Sequence, residues 1–294
     1  MAIKLKVRNL VTQLDVIAKT LTTSKMAGNY KSAYKGSGLE FEGFRKYIFE
    51  DDSSLIDWKA SVRTNELLVK EFREERNLNI YFLFDVSNSM IFGSGDKLKT
   101  QYGAELIASI AYASILNDDS VGLGMFTDKI VAGFKPTPGE NQYYFLLGAL
   151  TNQKLYGGNF DINVALNFVL EFLEQGSILV IISDFIGLKE GWEKNFKAAC
   201  NKFDVITMMV RDIRDKELPT DVGDVVIESP YGKEKLSIHP KSVNKRYMES
   251  VKQQEAQLED FFKRAGSEFL SLRTDKDFVN PLIEMFKKRE LKFR

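Results

Sequence analysis

Three residues at alternate positions, Asp85, Ser87 and Ser89, present one carboxylate and two hydroxyls directly after the apolar run Leu78 to Phe84. Hard oxygen donors of this kind suit Mg2+, Mn2+ or Ca2+ rather than a softer metal. A further carboxylate, Asp184 in Ile182-Ser183-Asp184-Phe185, closes another apolar run in the same way. In open α/β sheets ligands gather beyond the carboxyl ends of the parallel strands, so Asp85 and Asp184 are expected at one crevice. A plainer reading stands beside this one, because aspartate and serine after a strand also cap helices and turn the chain.

Other chemistries find less material. The chain has one histidine, His239 beside Pro240, and one cysteine, Cys200, which disfavours histidine-rich metal centres and Ser/His or Cys/His triads. An aspartyl-phosphate enzyme would want a carboxylate two residues after Asp85, where Ser87 stands. No G-x-x-x-x-G-K-[ST] run occurs, and Gly93-Ser94-Gly95-Asp96-Lys97 only superficially imitates one.

The elements that must position these residues follow from periodicity. From residue 78 onward short β-rich runs alternate with helical periods, which predicts a doubly wound, mostly parallel α/β sheet with helices on both faces. The strands expected are Leu78 to Phe84, Val121 to Phe126, Ser177 to Ser183, Val205 to Val210 and Glu268 to Leu272. Lys129 to Phe134 folds back as one antiparallel edge strand. The intervening helices are Tyr102 to Leu116, Asn141 to Leu150, Ile162 to Leu173 and Glu193 to Phe203. A long amphipathic helix marked by Val243 through Ala265 ends at Gly266, and Phe278 to Lys288 closes the chain. Val222 to Ile238 reads as a β-hairpin insertion around a Ser229 to Lys233 turn.

Residues 1–77 lack the alternation and form an N-terminal subregion, leaving 78–294 as the main domain. A helix is expected near Val7 to Leu21, then a polar loop over Thr22 to Gly38, then a stretch dense in charges and aromatics. Within it Glu66 to Phe72 reads as a strand, expected to join an edge of the main sheet. Phe44, Tyr47 and Trp58 are expected to pack on the main domain, and Asp57 is close enough to Arg63 for an internal pair. The basic end, Lys287 to Arg294, is expected to terminate a helix and stay solvated.

The 294 residues, 44% of them hydrophobic, suffice for a packed core, and 41 basic against 41 acidic side chains leave no overall field to attract nucleic acid or an anionic membrane. The middle of the chain is net acidic and its flanks net basic. Cys200 cannot form an intramolecular disulfide, and a buried apolar role suits it. The N-terminal MAIKLKVRNL has no sustained apolar stretch, and no apolar run approaches the ~18 residues of a membrane span. A cytoplasmic chain without membrane insertion is the expectation.

Asp85, Ser87 and Ser89 resemble the DxSxS signature of von Willebrand factor A-like domains, in which it begins a metal-ion-dependent adhesion site. A longer resemblance begins near Gly38. Phe41-Glu42-Gly43-Phe44-Arg45-Lys46-Tyr47, Ile56-Asp57-Trp58-Lys59, Ala60-Ser61-Val62-Arg63-Thr64, Lys70-Glu71-Phe72 and Leu272-Arg273-Thr274-Asp275-Lys276-Asp277-Phe278 are similar to a bacterial family known as domain of unknown function 58. That resemblance implies an adaptor encoded beside MoxR-type AAA+ ATPases. It also implies ion ligation by Ser87 and Ser89, with Asp85 and Asp184 helping directly or through water. The second loop of such sites reads Gly-Gly-Thr-Asp-Ile, whereas here it is Gly157-Gly158-Asn159-Phe160-Asp161-Ile162. Phe160 offers no ligand, which leaves Asn159 or Asp161 as substitutes, or a weakened or absent site. The resulting expectation is a non-enzymatic module that binds a MoxR-type AAA+ ATPase and a client, bridged by Mg2+ (or Mn2+ or Ca2+). Its rivals are a metal-free interaction scaffold and a metal-assisted hydrolase using Asp85, Asp161 and Asp184.

Overall fold

The computed structural model describes residues 12, 14–16, 18, 19, 22, 39–48, 51–74 and 78–292. The predicted Thr22 to Gly38 loop lies outside these apart from Thr22. Of the predicted first helix, the described residues Thr12, Leu14, Asp15, Val16, Ala18 and Lys19 are helical. Leu14 and Ala18 are buried in the main core.

Strand β1 (Leu39–Lys46) and strand β2 (Leu68–Glu74) pair antiparallel in a sheet of their own, with helix α1 (Trp58–Thr64) between them in the chain. This corrects the expectation that Glu66 to Phe72 joins the main sheet: β2 finds its partner in β1, from Leu39↔Glu74 to Lys46↔Leu68, a separation in sequence that keeps the loop-closure cost low. Asp57 caps α1, accepting from the amides of Lys59 and Ala60, and pairs with Lys70 at 3.3 Å rather than with Arg63. Trp58 is 65% exposed and Phe44 45%, so neither ring is buried as expected.

The main sheet uses β3 (Asn79–Asp85), β4 (Ser120–Phe126), β5 (Ile130–Thr137), β6 (Ile178–Ser183), β7 (Asp204–Arg211) and β10 (Glu268–Arg273), in the order β10-β7-β6-β3-β4-β5. All neighbours are parallel except β5, which runs antiparallel to β4 and closes that edge. The intervening strands β8 (Val225–Glu228) and β9 (Lys235–Ile238) form the antiparallel hairpin expected between β7 and the long helix.

The crossovers are helical, α2 (Lys99–Ile115), α3 (Glu140–Leu150), α4 (Ile162–Phe172), α5 (Trp192–Lys202) and α6 (Pro240–Arg264), and a further helix, α7 (Val279–Lys292), follows the last strand. The pleat of β3 divides its side chains between two cores. Ile80, Phe82 and Phe84 enter the one built on α2, α3 and α7, while Tyr81 and Leu83 enter the one built on α4, α5 and the end of α6. β3 and β6 are buried on both faces, which is why their sequences read as continuous apolar runs. One basic residue of the C-terminal end departs from expectation. Arg289 is 2% exposed and pairs with Asp204 and Glu268, because α7 lies along the core face and carries it over the start of β7 and β10.

Candidate functional site

Parallel register fixes the site. Phe84 of β3 faces Ile182 of β6, and Asp85 faces Phe126 of β4, so the residues after these strands meet at one carboxyl edge. Asp85 is fully buried there. One carboxylate oxygen accepts the Ser87 amide at 2.9 Å and the other accepts the Ser183 hydroxyl at 2.6 Å. Burial, with the Asp184 charge adding to it, pushes the Asp85 carboxyl up to about 7.

Asp184 is also fully buried, but it is already paired. Its carboxylate accepts the Ile186 amide at 2.9 Å and the Lys99 ammonium at 2.7 Å. Lys99, the first residue of α2, is 1% exposed and reaches Asp215 as well, at 2.8 Å. A cation at a helix N-terminus opposes the macrodipole, so the two carboxylates are what hold it in place.

The second loop is fastened to the first by backbone. Asn88 donates its amide N–H to the Gly158 carbonyl at 3.0 Å, Gly158 returns its own to Asn88 Oδ1 at 2.8 Å, and Gly157 donates to the Val86 carbonyl at 2.8 Å. Gly157 and Gly158 have φ of +102° and +123°, a region other residues rarely adopt. The two candidate substitutes beyond them are engaged elsewhere. Asp161 caps α4 through the Asn163 amide and pairs with Lys189 at 2.7 Å, while the Asn159 side chain is turned to Asp128 at 3.4 Å. Phe160 is buried, its ring 6.0 Å from that of Phe126.

The serine pair is occupied by the protein itself. At the turn between β8 and β9, the Tyr231 hydroxyl donates to Ser89 Oγ at 2.7 Å and shares a 2.9 Å hydrogen bond with Ser87 Oγ. Its ring stacks on Phe160 with centroids 6.5 Å apart and planes 26° apart. Gly187 lies close against the ring, since a Cβ placed there would come within 2.8 Å of it. The Pro230 carbonyl accepts from Asn88 Nδ2 at 3.1 Å, giving the turn a second attachment.

A divalent ion suits the two serine hydroxyls by chemistry, but the site as arranged does not fit one. The Ser87, Ser89 and Tyr231 oxygens form a triangle with sides of 2.7, 2.9 and 3.5 Å, Asp184 is neutralised by Lys99, and Phe160 donates nothing. Among the described residues no group of three or more His, Cys, Asp or Glu stands where it could hold a metal. Asp85, Ser87, Ser89 and Asp184 are thus brought to one crevice, whereas Asn159 and Asp161 are not turned into it. Sequence reasoning missed Lys99 and Tyr231. The second carried a signal: a large aromatic within Ser229-Pro230-Tyr231-Gly232-Lys233 has no part in the turn chemistry of its neighbours.

An open, mostly parallel sheet with a DxSxS turn at its carboxyl edge is the layout of a von Willebrand A-like domain. The chain belongs to the family described as protein of unknown function DUF58, whose model matches residues 43–257. The uncharacterized protein Rv1480 of Mycobacterium tuberculosis is 26% identical over 281 residues, covering 94% of this chain and 87% of that one. The uncharacterized protein MAV169 of Mycobacterium avium is 27% identical over 142 residues, 48% of this chain and 83% of its own. Among solved structures, the conserved hypothetical protein BatB of Bacteroides thetaiotaomicron aligns over 73% of this chain and 98% of its own, with 16% identity and a TM-score of 0.45. A von Willebrand factor type A protein of Catenulispora acidiphila aligns over 76% and 45%, with 7% identity and a TM-score of 0.38. No helix among the described residues is long and apolar enough to cross a membrane.

Proposed function

We propose that this chain is a non-enzymatic protein-binding module that serves a MoxR-type AAA+ ATPase as adaptor in assembling or remodelling a client complex. The binding face is the carboxyl edge of the main sheet, and contact there needs no bridging ion. The observation that carries this reading is the engagement of Ser87 and Ser89 with Tyr231, which makes the serine pair a clamp on a side chain. Nucleophilic use of either serine would want a base beside it. The partner both hydroxyls share is a phenol whose acidity burial weakens further, and Asp85, the carboxylate beside Ser87, is enclosed and already accepts the Ser183 hydroxyl. The ATPase is the partner that the family resemblance in sequence implies, and the single cysteine, Cys200, accords with work in the cytoplasm.

The test is co-sedimentation of the purified chain with the purified MoxR-type ATPase of the same host, with and without EDTA. The expected complex survives EDTA and is weakened when a charge is placed on the crest by Asn88→Asp. A complex abolished by EDTA and restored by Mg2+ would favour the metal-bridged form, and no complex under any condition would refute the partnership.

A further inference from the structure

We propose that the crevice is a phenol-binding pocket, built for a tyrosine side chain and filled in this structure by the chain's own Tyr231. Three features at different places in the sequence converge on that ligand. Phe160 supplies an aromatic wall stacked on the ring, with planes 26° apart. Gly187, with φ +88°, has no Cβ, and that absence is what gives the ring room. At the bottom Ser87 accepts or donates and Ser89 accepts, so the hydroxyl has partners for both its proton and a lone pair.

The occupant is tethered lightly. Val226 and Leu236 of the hairpin are 65% and 63% exposed, so its strands are not packed into either core. The Tyr231 side chain and the Pro230 carbonyl are the contacts that fasten its turn to the crevice. The turn can therefore swing away without disturbing the sheet. The crevice is then free for a tyrosine presented by another chain, with the same clamp and the same wall. This deepens the reading of the carboxyl edge as a binding face. It is tested on this chain alone, so its failure and the failure of ATPase capture are separate results.

The experiment titrates the Tyr231→Ala chain with p-cresol, the tyrosine side chain as a free molecule, by calorimetry. Toluene serves as the same shape without the hydroxyl, and Mn2+ as the competing ligand class. Saturable p-cresol binding with one site and a Kd on the order of 1 mM is expected for so small a ligand. It should be absent in the wild type, at least about tenfold tighter than toluene, and lost on adding Gly187→Ala. Replacing Ser87 and Ser89 by alanine in the same background should erase the preference for p-cresol over toluene. Absence of p-cresol binding, or saturable Mn2+ binding with no preference between p-cresol and toluene, would overturn the proposal. In the second case the crevice is a cation site stoppered by the hairpin. Should Tyr231→Ala not fold, Tyr231→Phe in the otherwise native chain decides. Loss of the clamped hydroxyl should raise the equilibrium unfolding constant about five- to thirtyfold, and an unchanged constant would overturn the proposal.

Discussion

Replacing Lys99 by methionine isolates the electrostatics of the crevice. Methionine keeps the unbranched stem and the helix propensity of position 99 but deletes the ammonium that lies 2.7 Å from Asp184 and 2.8 Å from Asp215. Asp184 is fully buried and the Asp215 side chain is 11% exposed, so neither carboxylate can recover its lost partner from bulk water. Breaking a buried pair by removing one member costs about 3–5 kcal/mol, because the survivor is left charged and uncompensated. At roughly 2–4 °C per kcal/mol for a domain of this class, the thermal midpoint should fall by about 6–20 °C. The assay is urea and thermal unfolding of wild type, Lys99→Met and the triple variant Lys99→Met/Asp184→Asn/Asp215→Asn. The triple variant removes the unpaired charges and should recover most of the loss, since a neutral replacement of a buried ion pair is often tolerated. A single variant within about 0.5 kcal/mol of wild type, or a triple variant as unstable as the single, would refute the assignment of Lys99 as the cation that neutralises this edge.

Two further outcomes are expected. Asp85 has a folded-state pKa raised from 3.8 to about 7, so the stability its protonated form contributes is complete below about pH 4 and is lost as pH climbs through 7. Urea midpoints should therefore fall between pH 5 and pH 8 more steeply in wild type than in Asp85→Asn, and equal slopes would remove the cause given for the shift. The Cys200 thiol is pushed up to about 12 by burial against the α5 side of the core, so an aromatic disulfide reagent at pH 8 should label it slowly in the native state and rapidly in urea. Equal rates would contradict that packing.

The sheet was legible because its central strands are buried on both faces. Ser177 to Ser183 has no polar residue between its ends, and so short a run bounded by Gly176 and Asp184 leaves little room for a helix. Asp85, Ser87, Ser89 and Asp184 were legible for a related reason, since strand ends mark the edge where ligands gather. Lys99 was not, because its burial depends on carboxylates 85 and 116 residues further along the chain, and locally it resembles any solvated lysine. Tyr231 and Arg289 share that difficulty: Ser87 lies 144 residues from the first and Asp204 85 residues from the second. Trp58 and Phe44 fail in the opposite sense. An aromatic residue is expected to be buried on average, but a two-stranded sheet with one short helix has too little surface to cover every ring it carries.

The distance in sequence between the clamp and its occupant also sets an order of events at the ribosome. Ser87 and Ser89 precede Tyr231 by 144 and 142 residues, and all the strands flanking the crevice, β3, β4 and β6, are synthesised before the hairpin. Gly187, the last of the residues lining the crevice, precedes Tyr231 by 44 residues, so at roughly 5–20 residues per second the crevice is complete in sequence about 2–9 s ahead of the tyrosine. For that interval a nascent chain has everything needed to form the crevice and nothing of its own to put in it, so self-occupation is the closing act of synthesis and separates a finished molecule from one still being made.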